Sequence, residues 1–83
     1  MRPVTFPPLS FNAWLRWDVV ERVVRRLPTV SSVLEIGAGE GAVATRLASR
    51  FEYVGLEPDP TSCAKAQSRL AKLGRGTVLC AEA

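Results

Sequence analysis

Histidine is missing from the 83-residue chain, so no imidazole is available as a general base or a metal ligand. Cysteine is scarce: Cys63 and Cys80 stand alone, without CxxC or Cys/His spacing. They read as small buried apolar residues in a reducing compartment, which sets aside a metal site and a disulfide. Aromatic residues make up 7% of the chain, and none is interleaved with a basic stripe to form a base-stacking platform. Eleven basic residues against eight acids give a net charge of +3. No basic run is longer than Arg25-Arg26, so the excess describes a mildly basic surface and does not indicate nucleic acid as a partner. No segment approaches the ~20 apolar residues of a membrane helix. Pro3, Pro7 and Pro8 stand where a signal peptide would have its apolar core. The expected location is the cytoplasm, with no membrane partner.

What is present describes one small soluble domain. Hydrophobic content of 47% and charged content of 23% are ordinary for a globular protein. A chain this short buries only roughly 60% of its unfolded surface, so its stability is expected to be marginal.

Residues 1 to 9 carry three prolines and no periodicity, the pattern of an extended arm. A helix is expected from Ser10 as N-cap to Leu27, where Pro28 forbids continuation. Val20, Val23, Val24 and Leu27 form its apolar stripe. Asp18 with Arg22, and Glu21 with Arg25, pair on the solvated side. Trp14 and Trp17 are packing residues at the start of this helix or a cover over a ligand. Ser32 to Ile36 is a nearly continuous apolar strand, of the kind buried on both faces. A helix over 42–50 places Val43, Leu47 and Phe51 on one side, and Tyr53 to Leu56 makes a second strand. Asp59 as N-cap, Pro60 at the first helical position and Gly74 as terminator bracket a third helix. Its inward residues are Cys63, Ala66, Leu70 and Leu73, while Lys65, Gln67, Arg69 and Lys72 face water. Thr77 to Cys80 begins a third strand.

The order is a helix followed by β-α-β-α-β. It predicts an α/β fold: the N-terminal half of a doubly wound, Rossmann-like parallel sheet, strand order 3-2-1, preceded by a helix. In such a sheet the first strand is central and pairs with a fourth on its other edge. Without that strand an apolar edge lies open. The expectation is therefore either a truncated piece of a larger domain or a half-domain that pairs with itself or with a partner chain through that edge.

The chemistry concentrates in Val33-Leu34-Glu35-Ile36-Gly37-Ala38-Gly39-Glu40-Gly41 and in Tyr53-Val54-Gly55-Leu56-Glu57-Pro58-Asp59. An apolar strand, alternating glycines, a helix, and a second strand closing on an acid describe a cradle for a nucleoside-containing ligand. The glycines fit the dinucleotide pattern G-x-G-x-x-[GA] as well as acid-x-G-x-G-x-G. Glu57 suits a ribose in both. Glu35 separates them. A dinucleotide loop wraps a pyrophosphate with backbone N–H groups. A carboxylate ~6 Å from a phosphate costs roughly 2 to 3 kcal/mol at an effective dielectric near 20. Beside an ammonium the same carboxylate is favourable. S-adenosylmethionine carries a ribose, an amino group and a sulfonium, and no phosphate.

Residues 32 to 83 resemble the first half of a class I S-adenosylmethionine-dependent methyltransferase. Val33 to Gly41 is similar to that family's glycine-rich first motif, and Gly55 to Asp59 to its second. The resemblance implies that Glu35 approaches the methionine amino group, directly or through water. Gly37, Ala38, Gly39 and Gly41 would shape the loop around the methionine chain. Glu57 would grip both ribose hydroxyls, and Pro58 would lie beside the adenine. A further adenine contact after the third strand falls on Ala81 or Glu82, in a register that the imperfect match leaves open. The implied domains are 1–31, an arm and helix, and 32–83, a truncated cofactor-binding domain. The implied reaction is in-line methyl transfer to an unidentified, small-molecule acceptor, with proximity supplying most of the catalysis. No residue reads as a general base. The alternatives are an NAD(P)-binding oxidoreductase fragment and a non-catalytic relic or interaction module that keeps the cradle.

Overall fold

The computed structural model describes residues 6, 8–27, 29 and 31–83. Most of the expected N-terminal arm, and Pro28, lie outside the described residues. In chain order the elements are α1 (Phe11–Arg25), β1 (Ser32–Ile36), α2 (Ala42–Ala48), β2 (Glu52–Leu56), α3 (Pro60–Leu73) and β3 (Thr77–Leu79). Side-chain caps fix two of the helix starts. Ser10 Oγ accepts the Ala13 N–H at 3.2 Å, and Asp59 Oδ2 accepts the Ser62 N–H at 2.8 Å. The latter bond holds the Asp59 carboxyl below the usual carboxylate range. Helix α2 stops at Ala48, short of the expected Arg50, because Arg50 and Phe51 turn their N–H groups back onto the Leu47 carbonyl.

The sheet order is β1-β2-β3 with both pairs parallel, as the alternation predicts. Each crossover steps the same way across the sheet, so right-handedness puts α2 and α3 on one face. There Tyr53 and Val78 pack against Val43, Leu47, Cys63, Ala66 and Leu70, with Val33 at the margin. Among the described residues nothing covers the other face. The expectation that β1 is buried on both sides is corrected: Leu34 is 64% and Ile36 54% exposed, and Val54 and Leu79 are exposed with them. Helices reach the second face of a doubly wound sheet only where the strand order reverses, and no reversal occurs among the described residues.

Helix α1 leans on α2. Its inward stripe is Ala13, Trp17, Val20 and Val24, a helical spacing centred one turn earlier than expected. Val23 and Leu27 lie half exposed, off the inward stripe that ends at Val24. Trp17 packs and Trp14 stays half exposed. The Asp18–Arg22 and Glu21–Arg25 pairs form at 3.1 and 2.8 Å. No helix among the described residues is long and apolar enough to cross a membrane.

The two cysteines are joined. A Cys63–Cys80 disulfide corrects the reading of both as free thiols. Cys63 is fully buried inside α3, and Cys80 leaves the end of β3, which packs beside that helix. Closing a loop of 17 residues stabilises the fold by about 3 kcal/mol in the chain-entropy treatment. Thermal unfolding followed by circular dichroism, with and without a phosphine reductant, is expected to show a lower midpoint for the reduced protein. A Cys80→Ser variant should reproduce that drop and be insensitive to reductant. Equal midpoints would show that the bond contributes nothing.

Candidate functional site

Parallel strands end on the same side, so the residues following β1, β2 and β3 share one rim. The register Glu35↔Gly55, Ile36↔Leu56 and Leu56↔Leu79 brings the glycine loop, Glu57 and the segment after β3 to that rim. The Leu56 carbonyl accepts the N–H groups of Gly37 at 2.8 Å and Ala38 at 3.0 Å, and the Gly41 N–H donates to the Ala38 carbonyl at 3.3 Å. The Gly39 N–H donates to Glu57 Oε1 at 2.7 Å. These amides therefore point into the protein and are already paired. Ala38 is buried, whereas a Cβ built on Gly37 or Gly39 would meet nothing within 4 Å. The space over both glycines is open. A cleft of about 450 Å³ runs between the loop and the start of α1, lined by Ser10, Asn12, Arg16, Gly39, Glu40 and Val43 among others.

Glu57 is only 8% exposed, and its second oxygen, Oε2, accepts the Asp59 N–H at 2.8 Å. Its own N–H donates to the Leu79 carbonyl at 3.0 Å. The carboxylate is thus held by backbone on both oxygens, and each oxygen keeps a lone pair for a further donor. Pro58 is the exposed residue beside it.

Glu35 faces inward from β1. Its Oε1 accepts the Tyr53 hydroxyl at 2.5 Å, and its Oε2 lies 3.4 Å from the Arg16 guanidinium. Burial pushes the Glu35 carboxyl above its ordinary range, opposed by the Tyr53 hydrogen bond and the Arg16 charge. The same surroundings push the Tyr53 phenol strongly upward, by burial first and the neighbouring carboxylate second. The acid at the end of β1 therefore sits beside a cation within the protein itself.

The rim gathers Gly37, Ala38, Gly39, Gly41 and Glu57 through backbone and carboxylate bonds, and Glu35 joins them through Arg16, which also reaches the Gly37 carbonyl. Ala81 and Glu82 follow β3 as exposed residues. Ala81 N–H returns to the Leu79 carbonyl, and among the described residues Glu82 makes no side-chain hydrogen bond or ion pair. Arg16 and Tyr53 were not foreseen. Strand alternation held a signal for Tyr53, since Tyr53, Gly55 and Glu57 share a parity that faces Val33 and Glu35 across the register. Arg16, on a helix packed at a distance, had none.

This arrangement defines half of a Rossmann-like methyltransferase fold. No protein-family model matches the chain. A release factor glutamine methyltransferase from Geobacter sulfurreducens is 36% identical over 64 residues, covering 74% of this chain and 22% of that protein. Among solved structures, a sugar N-methyltransferase from Streptoalloteichus has a TM-score of 0.66 at 25% identity, covering 99% of this chain and 37% of its own. An amino pentose methyltransferase from Micromonospora echinaspora, solved with S-adenosylmethionine bound, has a TM-score of 0.60 at 28% identity, covering 94% and 37%. The chain is related by sequence and structure to the class I S-adenosylmethionine-dependent methyltransferases. It spans about a fifth of the length of the curated relative it matches.

Proposed function

We propose that residues 32–83 form the S-adenosylmethionine-binding half of a methyltransferase, with 1–31 as an arm and covering helix, and that the acceptor is a small molecule. The observation that carries this reading is the pair of carboxylates, Glu35 and Glu57, brought to one rim beside the glycine loop. Carboxylate oxygens suit an ammonium and ribose hydroxyls and repel phosphates, and the N–H groups of Gly37, Ala38, Gly39 and Gly41 are already paired within the protein.

In this reading Glu35 takes the methionine ammonium, Gly37, Ala38, Gly39 and Gly41 shape the floor beneath the methionine chain, and Glu57 holds the ribose. Pro58 lies against the adenine, and Ala81 or Glu82 closes its other side. The sulfonium supplies an already activated methyl group, and the protein's share is alignment. Glu35 and Glu57 are both assigned to the cofactor, so a general base and the acceptor site lie elsewhere. The proposal includes a further strand on the open edge of β1 and a cover for the bare face, from a longer polypeptide or a partner chain. It also includes a cytoplasmic location, against which the Cys63–Cys80 bond counts.

Isothermal titration with S-adenosylhomocysteine and with NAD tests the reading. Binding of the former and not the latter is expected. Binding of NAD alone would remove the methyltransferase assignment, and binding of neither would leave the cradle a structural relic.

A further inference from the structure

We infer that Tyr53 is a positioning residue for the Glu35 carboxylate and that, through it, the site selects ligands carrying an amino-acid end. The inference rests on the reading of Glu35 as the acceptor for the ligand's ammonium.

Tyr53 is 3% exposed. A buried phenol needs a hydrogen-bond partner, and the one it has is Glu35 Oε1, a charge-assisted bond of 2.5 Å. The reach is built into the sheet. Glu35 and Gly55 are register partners on adjacent strands, and Tyr53 precedes Gly55 by two residues on the same face. A Cβ on Gly55 would overlap the Tyr53 hydroxyl and lie 3.0 Å from the ring carbon that bears it. The missing side chain at 55 is therefore the space through which the phenol reaches the carboxylate.

With Oε1 held in this way, Oε2 turns toward α1 and the loop. There a single guanidinium nitrogen of Arg16 lies 3.4 Å from Glu35 Oε2 and 3.3 Å from the Gly37 carbonyl. Two acceptors thus converge on one spot the size of a cationic nitrogen. The Arg16 side chain is 54% exposed, so it can swing out and yield that spot to an ammonium. Without the phenol, the last torsion of Glu35 is broad and nearly unrestrained. The carboxylate then no longer holds Oε2 toward the Gly37 carbonyl.

The test compares S-adenosylhomocysteine with methylthioadenosine, which keeps the adenosine and thioether and lacks the amino-acid end. Both are titrated on the same preparation, so partial unfolding cancels in the ratio of their affinities. Tyr53→Phe keeps the ring and removes the hydroxyl. It is expected to weaken S-adenosylhomocysteine by about tenfold and to leave methylthioadenosine within about twofold. In a Glu35→Gln background the same change should do nothing further to the ratio, the signature of one residue acting through another. Equal weakening of both ligands by Tyr53→Phe would make the residue merely structural and overturn the inference. So would an unchanged ratio, or a full additional loss in the Glu35→Gln background. Wild-type protein that binds methylthioadenosine as tightly as S-adenosylhomocysteine would overturn it while sparing the adenosine site; binding of neither would overturn the cofactor reading as well.

Discussion

Replacing Glu57 with alanine is expected to weaken S-adenosylhomocysteine binding by about 30- to 150-fold, equivalent to about 2 to 3 kcal/mol. It should also destabilise the fold by about 4 kcal/mol. The two losses have separate origins. In the proposed binding mode, affinity falls because two charge-assisted bonds to the ribose disappear. Stability falls because Oε1 and Oε2 already hold the N–H groups of Gly39 and Asp59. Hydrogen bonds to a charged acceptor contribute about 1.5 to 3 kcal/mol each. One carboxylate therefore ties the glycine loop to the start of α3. Glu57→Gln makes the point sharper. Either orientation of the carboxamide turns its NH2 group toward one of those two N–H donors, so glutamine should behave more like alanine than like glutamate. Urea unfolding of the two variants checks the stability loss. A loss of about 4 kcal/mol leaves most of the alanine variant unfolded at room temperature, so titration checks the affinity loss once the measured Kd is multiplied by the folded fraction that the unfolding curve gives. Glutamine matching wild type in both would show that the charge at 57 is dispensable and that the ribose sits elsewhere.

How far the sequence foretold this site depends on the distance over which each interaction acts. Strand β1, the N-caps Ser10 and Asp59 and the terminator Gly74 were readable because each rests on residues within one turn. The strand order was readable because short alternating crossovers permit one hand. The closure of Glu57 onto Gly39 was readable only in part: the motif places both residues at the rim, but not the bond between them. The bare sheet face is not legible in the sequence, because an apolar strand such as Ser32 to Ile36 looks the same whether one face or both are covered. That difference depends on where the next helices go, a property of the topology rather than of the strand.

Arg16, Tyr53 and the disulfide share a different cause. Arg16 reaches Glu35 across 19 positions of sequence, and Cys63 meets Cys80 across 17. Each pair joins two elements whose separate patterns are satisfied without it. Cys63 fits the inward stripe of α3 as a small apolar residue whether or not it is bonded. Tyr53 fits a buried strand position as a bulky apolar residue, and only its hydroxyl, aimed past Gly55, carries the functional message. Periodicity reports which way a side chain faces and is silent about what its polar tip meets.

The glycine loop gives the second large expected effect, and it separates backbone strain from close packing. Gly41 has φ of +93°, and a Cβ there would come within 2.9 Å of Ala66 Cα and 3.1 Å of Ala66 Cβ on α3. Gly74 has φ of +77° at the end of α3, and a Cβ there would meet nothing within 4 Å. Alanine at 74 therefore incurs the left-handed backbone cost alone, about 1 kcal/mol. Alanine at 41 incurs that cost and must also push α3 away from the loop. Overpacking of a close contact costs about 1 to 3 kcal/mol. The obstructing atom is backbone, which cannot rotate aside, so the upper end applies and the total is about 4 kcal/mol. For a chain whose stability is marginal, that leaves Gly41→Ala largely unfolded at room temperature, while Gly74→Ala melts only several degrees below wild type. Thermal unfolding by circular dichroism on the two variants reads the difference directly. Similar midpoints would mean that the approach of Gly41 to Ala66 is not a tight contact in solution.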